Sequence, residues 1–377
     1  MSFADALAAL YTPETARAIE AADEAAVLRA LERRAPDEAD LAALLAPAAA
    51  PHLEAMARRA HETTVRHFGR TIQLFTPLYL SNYCTNGCVY CGFNTGNRIP
   101  RAQLTPEQAL AEGRAIAATG LRQLLLLTGE APARAGTDYI AACARLLRPL
   151  FPSLGVEVHA LAEADYRALT RAGVDAMTMF QETYDRELYA TLHPRGPKRD
   201  FAWRLGAPER ACRAGMRVVN VGALLGLAPW RLEVFATALH ARHLQRRHPG
   251  VDIAISLPRM RPHAGAWQPA HPLTDSELVQ AMTALRLFLP QAGITLSTRE
   301  APALRDNLVP LGVTRMSAGV STAVGGHTGG DPGSGQFEIS DPRGVDAVCA
   351  ALRQRGYQPV FKDWEPLEHA HTARRAS

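Results

Sequence analysis

Lysine is almost missing from this chain. Only Lys198 and Lys362 stand among its 41 basic residues, the rest being arginine. With 37 acidic residues the net charge is +4, too small for 377 residues to imply a nucleic-acid or acidic-surface partner. A coding bias toward Ala and Arg accounts for the imbalance. Long apolar runs are missing too: no stretch approaches the ~20 uninterrupted apolar residues of a membrane span, and the first residues lack the basic-then-apolar pattern of a secretory signal. Cysteine is scarce outside one place. Six cysteines, three of them clustered, do not make a disulfide framework and point to a reducing compartment. A soluble cytoplasmic protein with no membrane partner is therefore expected. A length of 377 residues with 47% hydrophobic content suits one large barrel or two modest domains.

What is present is a rhythm. Residues 1–70 read as helices, with Ala26, Leu28 and Leu31 at helical spacing and Pro13, Pro36, Pro47 and Pro51 as punctuation. Nothing there looks catalytic, and His61 and His67 are expected to pack or face solvent. From residue 71 short apolar runs alternate with amphipathic stretches, as parallel β/α units do. The expected strands are Ile72–Leu80, Gln123–Thr128, Gly155–Leu161, Ala176–Gln181, Val218–Leu224, Asp252–Leu257, Ile294–Ser297 and Val313–Ser317. Helical stretches lie between them, and Gly120, Gly173, Gly215 and Gly293 stand where C-terminal helix caps belong. Eight such units predict an α/β fold, a (βα)8 TIM-like barrel over 71–377 behind an N-terminal helical extension of 1–70. Helix Val345–Gly356 and segment Gln358–Trp364 close the chain. Gly325-Gly326-His327-Thr328-Gly329-Gly330-Asp331-Pro332-Gly333 reads as a mobile loop or lid.

In such a barrel, functional residues lie past the carboxyl ends of the strands. Cys84, Cys88 and Cys91 follow the first strand. Soft thiolates at this density select zinc, copper(I) or iron–sulfur clusters, and three without a nearby fourth suit a [4Fe–4S] cluster with one iron open. Polar groups recur at other strand ends: Thr128-Gly129-Glu130, Glu157 and His159, Gln181-Glu182-Thr183, Ser297-Thr298-Arg299-Glu300, and Ser317. Arg299 is a candidate clamp for a substrate carboxylate, with Ser317 beside it. Tyr90, between two cysteines, must stand near the cluster. His159 and His263 are weaker candidates for acid–base work.

The C-x3-C-x2-C spacing resembles the radical S-adenosylmethionine (SAM) superfamily, in which SAM takes the open iron. By that resemblance Thr128, Gly129 and Glu130 match the G-G-E motif that binds the SAM amino group, with Thr replacing the first Gly. Glu182 matches the acidic residue at the ribose, and Arg204 the arginine at the methionyl carboxylate, a pairing that suits its planar fork. Residues 77–93, Asn97-Arg98, Leu127–Glu130, Gln181–Tyr184, Ser297–Glu300 and Phe361-Lys362-Asp363-Trp364 are similar to the 2-iminoacetate synthase family of aromatic-amino-acid lyases. The resemblance implies cleavage of the Cα–Cβ bond of L-tyrosine to p-cresol and 2-iminoacetate. It also implies thiazole synthase as protein partner, a low-potential electron donor such as flavodoxin, and Tyr90, Arg299 and Ser317 at the polar end of the amino acid. The related lyase of hydrogenase maturation carries three further clustered cysteines; here only Cys349 follows Cys212. Phe180 and Ser321-Thr322-Ala323-Val324 depart from the tyrosine-lyase pattern, so a tryptophan lyase is the alternative. A non-catalytic metal-binding scaffold for the thiazole synthase is the competing class.

Overall fold

The apolar runs assemble into a parallel sheet that closes on itself. The structure, a computed structural model, describes residues 2–329 and 335–362. Five helices come first: α1 (Phe3–Leu10), α2 (Pro13–Ala21), α3 (Glu24–Glu32), α4 (Glu38–Leu45) and α5 (Leu53–Phe68). The barrel follows as β1 (Thr71–Ser81), α6 (Pro106–Ala118), β2 (Gln123–Thr128), α7 (Thr137–Leu147), β3 (Ser153–Glu157), α8 (Glu163–Arg171) and β4 (Ala176–Glu182). It continues as α9 (Arg186–Leu192), α10 (Phe201–Leu205), α11 (Ala207–Arg213), β5 (Val218–Ala223), α12 (Trp230–Arg247), β6 (Asp252–Ser256), α13 (Asp275–Phe288) and β7 (Gly293–Leu296). The last elements are α14 (Pro302–Leu308), β8 (Arg315–Ser317), α15 (Val345–Gln354) and β9 (Gln358–Val360). β1 pairs in parallel with both β2 and β8, which closes a ring of eight; β9 adds itself to the start of β1 through Thr71–Gln73.

Strands such as β2 (QLLLLT) and β5 (VVNVGA) carry almost no exposed residue, since side chains fill the barrel on one face and helices cover the other. Threonine capping boxes start α6 and α13, so both helices begin where Thr105 and Thr274 satisfy otherwise orphaned N–H groups. The N-terminal helices lie against α12 and α13 and share their core with the barrel. Polar bolts fix them: Gln280 donates to the carbonyls of Leu44 and Ala46, and the Tyr11 hydroxyl donates to Glu233 at 2.7 Å. His61 packs with Nδ1 3.0 Å from the Pro310 carbonyl, and His67 is exposed, as expected.

Several expectations need correction. β3 starts two residues earlier than predicted and ends at Glu157, because Ser153 and Leu154 pair with Gln123 and Leu124 while β4 meets only Gly155 and Val156. Two helices, α9 and α10, were not anticipated between β4 and β5. Their signals are Asp185 and Asp200, whose carboxylates accept from the N–H groups of Leu188 and Trp203 as N-caps. Gly120, Gly173 and Gly215 have positive φ as caps require, but Gly293 does not and instead opens β7. The glycine-rich stretch is not free where it is described. His327 N–H and the N–H and hydroxyl of Thr328 all donate to the buried Glu112, which anchors that turn. Positions 330–333 of that stretch, with Asp363 and Trp364, lie outside the described residues.

Candidate active site

The cysteine loop leaves β1 as irregular backbone, and irregular backbone needs donors and acceptors from elsewhere. Arg101 supplies several, donating to the carbonyls of Asn82, Phe93 and Asn94 at 2.7–2.9 Å. The β2 end supplies more: the Glu130 carbonyl accepts from Thr85 N–H at 2.8 Å, and its carboxylate accepts from Asn86 at 2.6 Å. A Cβ on Gly129 would lie 2.4 Å from the Tyr83 carbonyl oxygen, so only glycine lets the two segments approach. The Thr128–Glu130 turn therefore carries the loop as well as facing the space beside it. The β4–β5 connection docks from the other side, through Gly87 N–H to Arg195 O and Val89 N–H to Leu192 O.

The three thiols are free, and Cys88 is buried. Burial pushes the Cys88 thiol up to about 12 against the opposing charge of Lys198, and burial raises Cys91 as well. Cys88 and Cys91 therefore favour the protonated thiol until a metal displaces the proton. Among the described residues no three His, Cys, Asp or Glu side chains are gathered tightly enough for one metal ion. A cubane holds each thiolate on a different iron, so its sulfurs stand farther apart than those around a single zinc at ~2.3 Å. Cys143, Cys212 and Cys349 are buried in α7, α11 and α15, away from this loop. Three thiols on one loop, with those remote, fit a [4Fe–4S] cluster with an open iron. Around the strand ends the Thr128 hydroxyl, both amide atoms of Gln181 and the Ser317 hydroxyl are buried without a hydrogen-bond partner, which suits polar ligands there.

Glu182 ends β4 at a bulge with φ 73°, the only non-glycine residue with positive φ among those described. Such strain persists only where surrounding contacts impose it. Here they do: Lys198 Nζ lies 2.6 Å from its carboxylate and Arg204 Nη2 3.2 Å, while Arg204 Nε donates to the Phe180 carbonyl at 2.8 Å. Burial works against the Glu182 charge, but Lys198 and Arg204 hold the carboxyl below its usual range. No described residue accepts from Arg204 Nη1, which leaves one arm of its fork for a ligand.

Tyr90 is buried beside the cluster loop, and its hydroxyl lies 2.6 Å from His193 Nε2. His193 Nδ1 faces the Tyr189 carbonyl at 2.7 Å and must be the protonated nitrogen, so Tyr90 donates to Nε2. Burial, then Lys198, pushes His193 down to about 3, which keeps it neutral. Arg299 and Ser317 line one cavity inside the barrel mouth, which Tyr90 does not border. Arg299 lies over the Phe337 ring, 3.6 Å from its centroid, and no described carboxylate pairs with it. Gln336 bridges the two regions, accepting from the Tyr79 hydroxyl at 2.8 Å and pointing its amide at Cys91 Sγ, 3.8 Å away. Hydrogen bonds to cluster sulfurs are one lever on cluster potential. His159 is buried with an unpartnered Nδ1, and His263 has an unpartnered Nε2; neither pairs with a described carboxylate. Lys198, His193 and Gln336 escaped the sequence reading. Lys198 had one visible signal, as one of only two lysines in the chain.

Comparison with known proteins agrees with this geometry. The Radical SAM superfamily matches residues 78–236, and the Biotin and Thiamin Synthesis associated domain matches 256–358. The chain is 42% identical to 2-iminoacetate synthase of Escherichia coli (strain K12) over 340 residues, 90% of each chain. Identity to the Salmonella typhimurium 2-iminoacetate synthase is 41% over the same shares. Among solved structures, HydG, a maturase of the [FeFe]-hydrogenase, superposes with a TM-score of 0.88 at 30% identity, covering 94% of this chain and 81% of that one. No helix among the described residues is long and apolar enough to cross a membrane. With a closed eight-stranded barrel, a cysteine loop at its mouth and this level of identity, the chain belongs to the 2-iminoacetate synthase family of radical SAM enzymes.

Proposed function

We propose that this enzyme cleaves the Cα–Cβ bond of L-tyrosine to give 2-iminoacetate and p-cresol, the former for thiazole assembly in thiamine biosynthesis. One observation carries the reading: Cys84 and Cys91 of the three-thiol loop pack against Tyr79 and Leu127, which line the cavity whose wall holds Arg299 without a described carboxylate partner. Cys84, Cys88 and Cys91 would hold a [4Fe–4S] cluster. Thr128, Gly129, Glu130, Glu182 and Arg204 would hold SAM at its open iron. When bound and reduced by one electron, the pair supplies a 5′-deoxyadenosyl radical that removes hydrogen from the substrate.

The chain's own residues orient the substrate and exclude water. Arg299 would take the substrate carboxylate, its guanidinium held flat by Phe337 and by the Arg259 carbonyl. Ser317, orphaned and buried in the same cavity, would bond the amino-acid backbone. Tyr90, its proton committed to His193, keeps its oxygen as an acceptor toward the cluster side. Residues 1–70 serve in this reading as an extension that braces α12 and α13, with 71–377 as the catalytic unit. A thiazole synthase protein receiving the imine, a flavodoxin-like donor and a cytoplasmic setting complete the proposal.

Anaerobic reconstitution with SAM, tyrosine and a reductant should give p-cresol and 5′-deoxyadenosine together. SAM cleavage without p-cresol from tyrosine, or with an indole product from tryptophan, would refute the substrate. Arg299→Ala should leave iron content and SAM binding intact while weakening tyrosine binding by ~2–5 kcal/mol, the cost of stripping a buried charge pair. Calorimetry on the unreduced enzyme checks this, and equal affinity would remove Arg299 as the clamp.

A further inference from the structure

Glu157 is a carboxyl without an evident partner. It ends β3 and lines the same cavity as Arg299 and Ser317, yet no described residue makes a hydrogen bond or ion pair with it. Glu157 is partly buried, and a carboxyl shielded from water without a partner is costly; such a group at a barrel mouth calls for a ligand. We infer that Glu157 is the specificity residue for the far end of the substrate, its carboxylate accepting the phenol O–H of tyrosine. This rests on the tyrosine-lyase reading above.

The topology sets the reach. In the ring of eight, β3 and the strand leading to Arg299, β7, are four strands apart and therefore face each other across the barrel. A substrate gripped by its carboxylate at Arg299 must project its side chain toward the opposite wall, and a barrel of eight strands encloses just one small ligand. Of the charges acting on Glu157, that of Arg299 is the strongest, which places both groups in one electrostatic enclosure. The path between them suits an aromatic ring. Phe180, Leu127 and Leu296 line it, and Gly155, two residues before Glu157 on the same face of β3, adds no side chain there; a Cβ would lie 3.0 Å from Leu125.

Other polar groups in the cavity are less available or lie elsewhere: the Gln123 amide nitrogen is unpartnered, but it stands at the amino end of β2, whereas Glu157 stands at the carboxyl end of β3. Asn220 donates to Thr178 and to Ser256, and Ser256 donates back to it, so that set satisfies itself. The Tyr79 hydroxyl is committed to Gln336. The Thr295 hydroxyl is unpartnered, but it stands on β7, the same wall as Arg299. Burial, opposed first by Arg299, raises the Glu157 carboxyl to about 7, so a donor brought by the ligand would stabilise the ionised form. A site that bonds a substrate hydroxyl discriminates strongly against the analogue lacking it, because the buried group is then left unpaired.

The test compares L-tyrosine with L-phenylalanine by calorimetry on cluster-reconstituted enzyme with SAM and no reductant, so that nothing turns over. The wild type should bind tyrosine at least ~100-fold more tightly than phenylalanine. Glu157→Met, matched in length and apolar, should bring that ratio below ~10-fold, chiefly by weakening tyrosine binding, with iron content unchanged. Glu157→Gln, which keeps a neutral acceptor, should fall between. A wild-type ratio in Glu157→Met overturns the assignment, and so does a loss of affinity equal for both ligands. Should Glu157→Met fail to fold, an unchanged ratio in Glu157→Gln overturns it and a reduced one supports it. If wild-type enzyme makes p-cresol but the ratio ignores Glu157, only this inference fails. If wild-type enzyme neither binds nor cleaves tyrosine, the underlying reading fails with it.

Discussion

Replacing Cys88 by alanine should leave a folded protein with no [4Fe–4S] cluster, no 5′-deoxyadenosine and no p-cresol. The side chain is small and sits in a minor apolar cluster with Tyr90, Leu192, Leu224 and Leu227, so its packing loss is about 1 kcal/mol. Its chemical loss is total, because two thiolates cannot anchor a cubane that already has one open iron. Iron and sulfide analysis of anaerobically purified protein reads the first effect, and product analysis the second. Cys349→Ala is the control: that thiol is buried in α15, away from the loop, and its loss should leave iron content unchanged. Stoichiometric iron with turnover in Cys88→Ala would defeat the assignment of the loop.

Asp341→Ala should cost about 3–5 kcal/mol of stability, the usual penalty for removing one partner of a buried ion pair. Arg305 and Asp341 face each other with neither side chain exposed, and Arg343 approaches the same carboxylate at 2.8 Å. Burial opposes the Asp341 charge, but Arg343 and Arg305 overcome it and hold the carboxyl below its ordinary range. Without Asp341, Arg305 would be a buried cation left with the Ser317 carbonyl, its Nε already without a partner. The lesion also reaches the site. Ser340 and Asp341 N–H groups tie this segment to Thr298, next to Arg299, and the same segment carries Gln336 and Phe337. Urea unfolding reads the stability loss, and calorimetry should show tyrosine affinity falling more than SAM affinity. A loss below about 1 kcal/mol would mean the pair is dispensable.

Much of this enzyme was legible before any coordinates. Strand positions followed from short apolar runs bounded by glycine, because a strand buried on both faces tolerates little else. The cysteine triplet was legible because its three ligands are close in sequence. Cap residues Asp185 and Asp200 would have revealed α9 and α10, but helices of seven and five residues are too short to show a helical period. The partners of the site were not legible. Tyr90 and His193 are 103 residues apart, Tyr79 and Gln336 are 257, and Arg305 and Asp341 are 36. No local pattern encodes such pairings.

The amino-acid order by itself determined the β/α alternation, the thiol-rich loop after the first strand and the ring of polar residues at strand ends, since these depend on side-chain type and short spacing alone. Only closure of the barrel decided which of those polar residues are already satisfied and which face the cavity with bonds to spare. Glu182 is held by Lys198 and Arg204, whereas Glu157, another acid at a strand end, is held by nothing described. The difference arises because hydrogen-bond satisfaction belongs to three-dimensional neighbours, and closing the barrel is what supplies them.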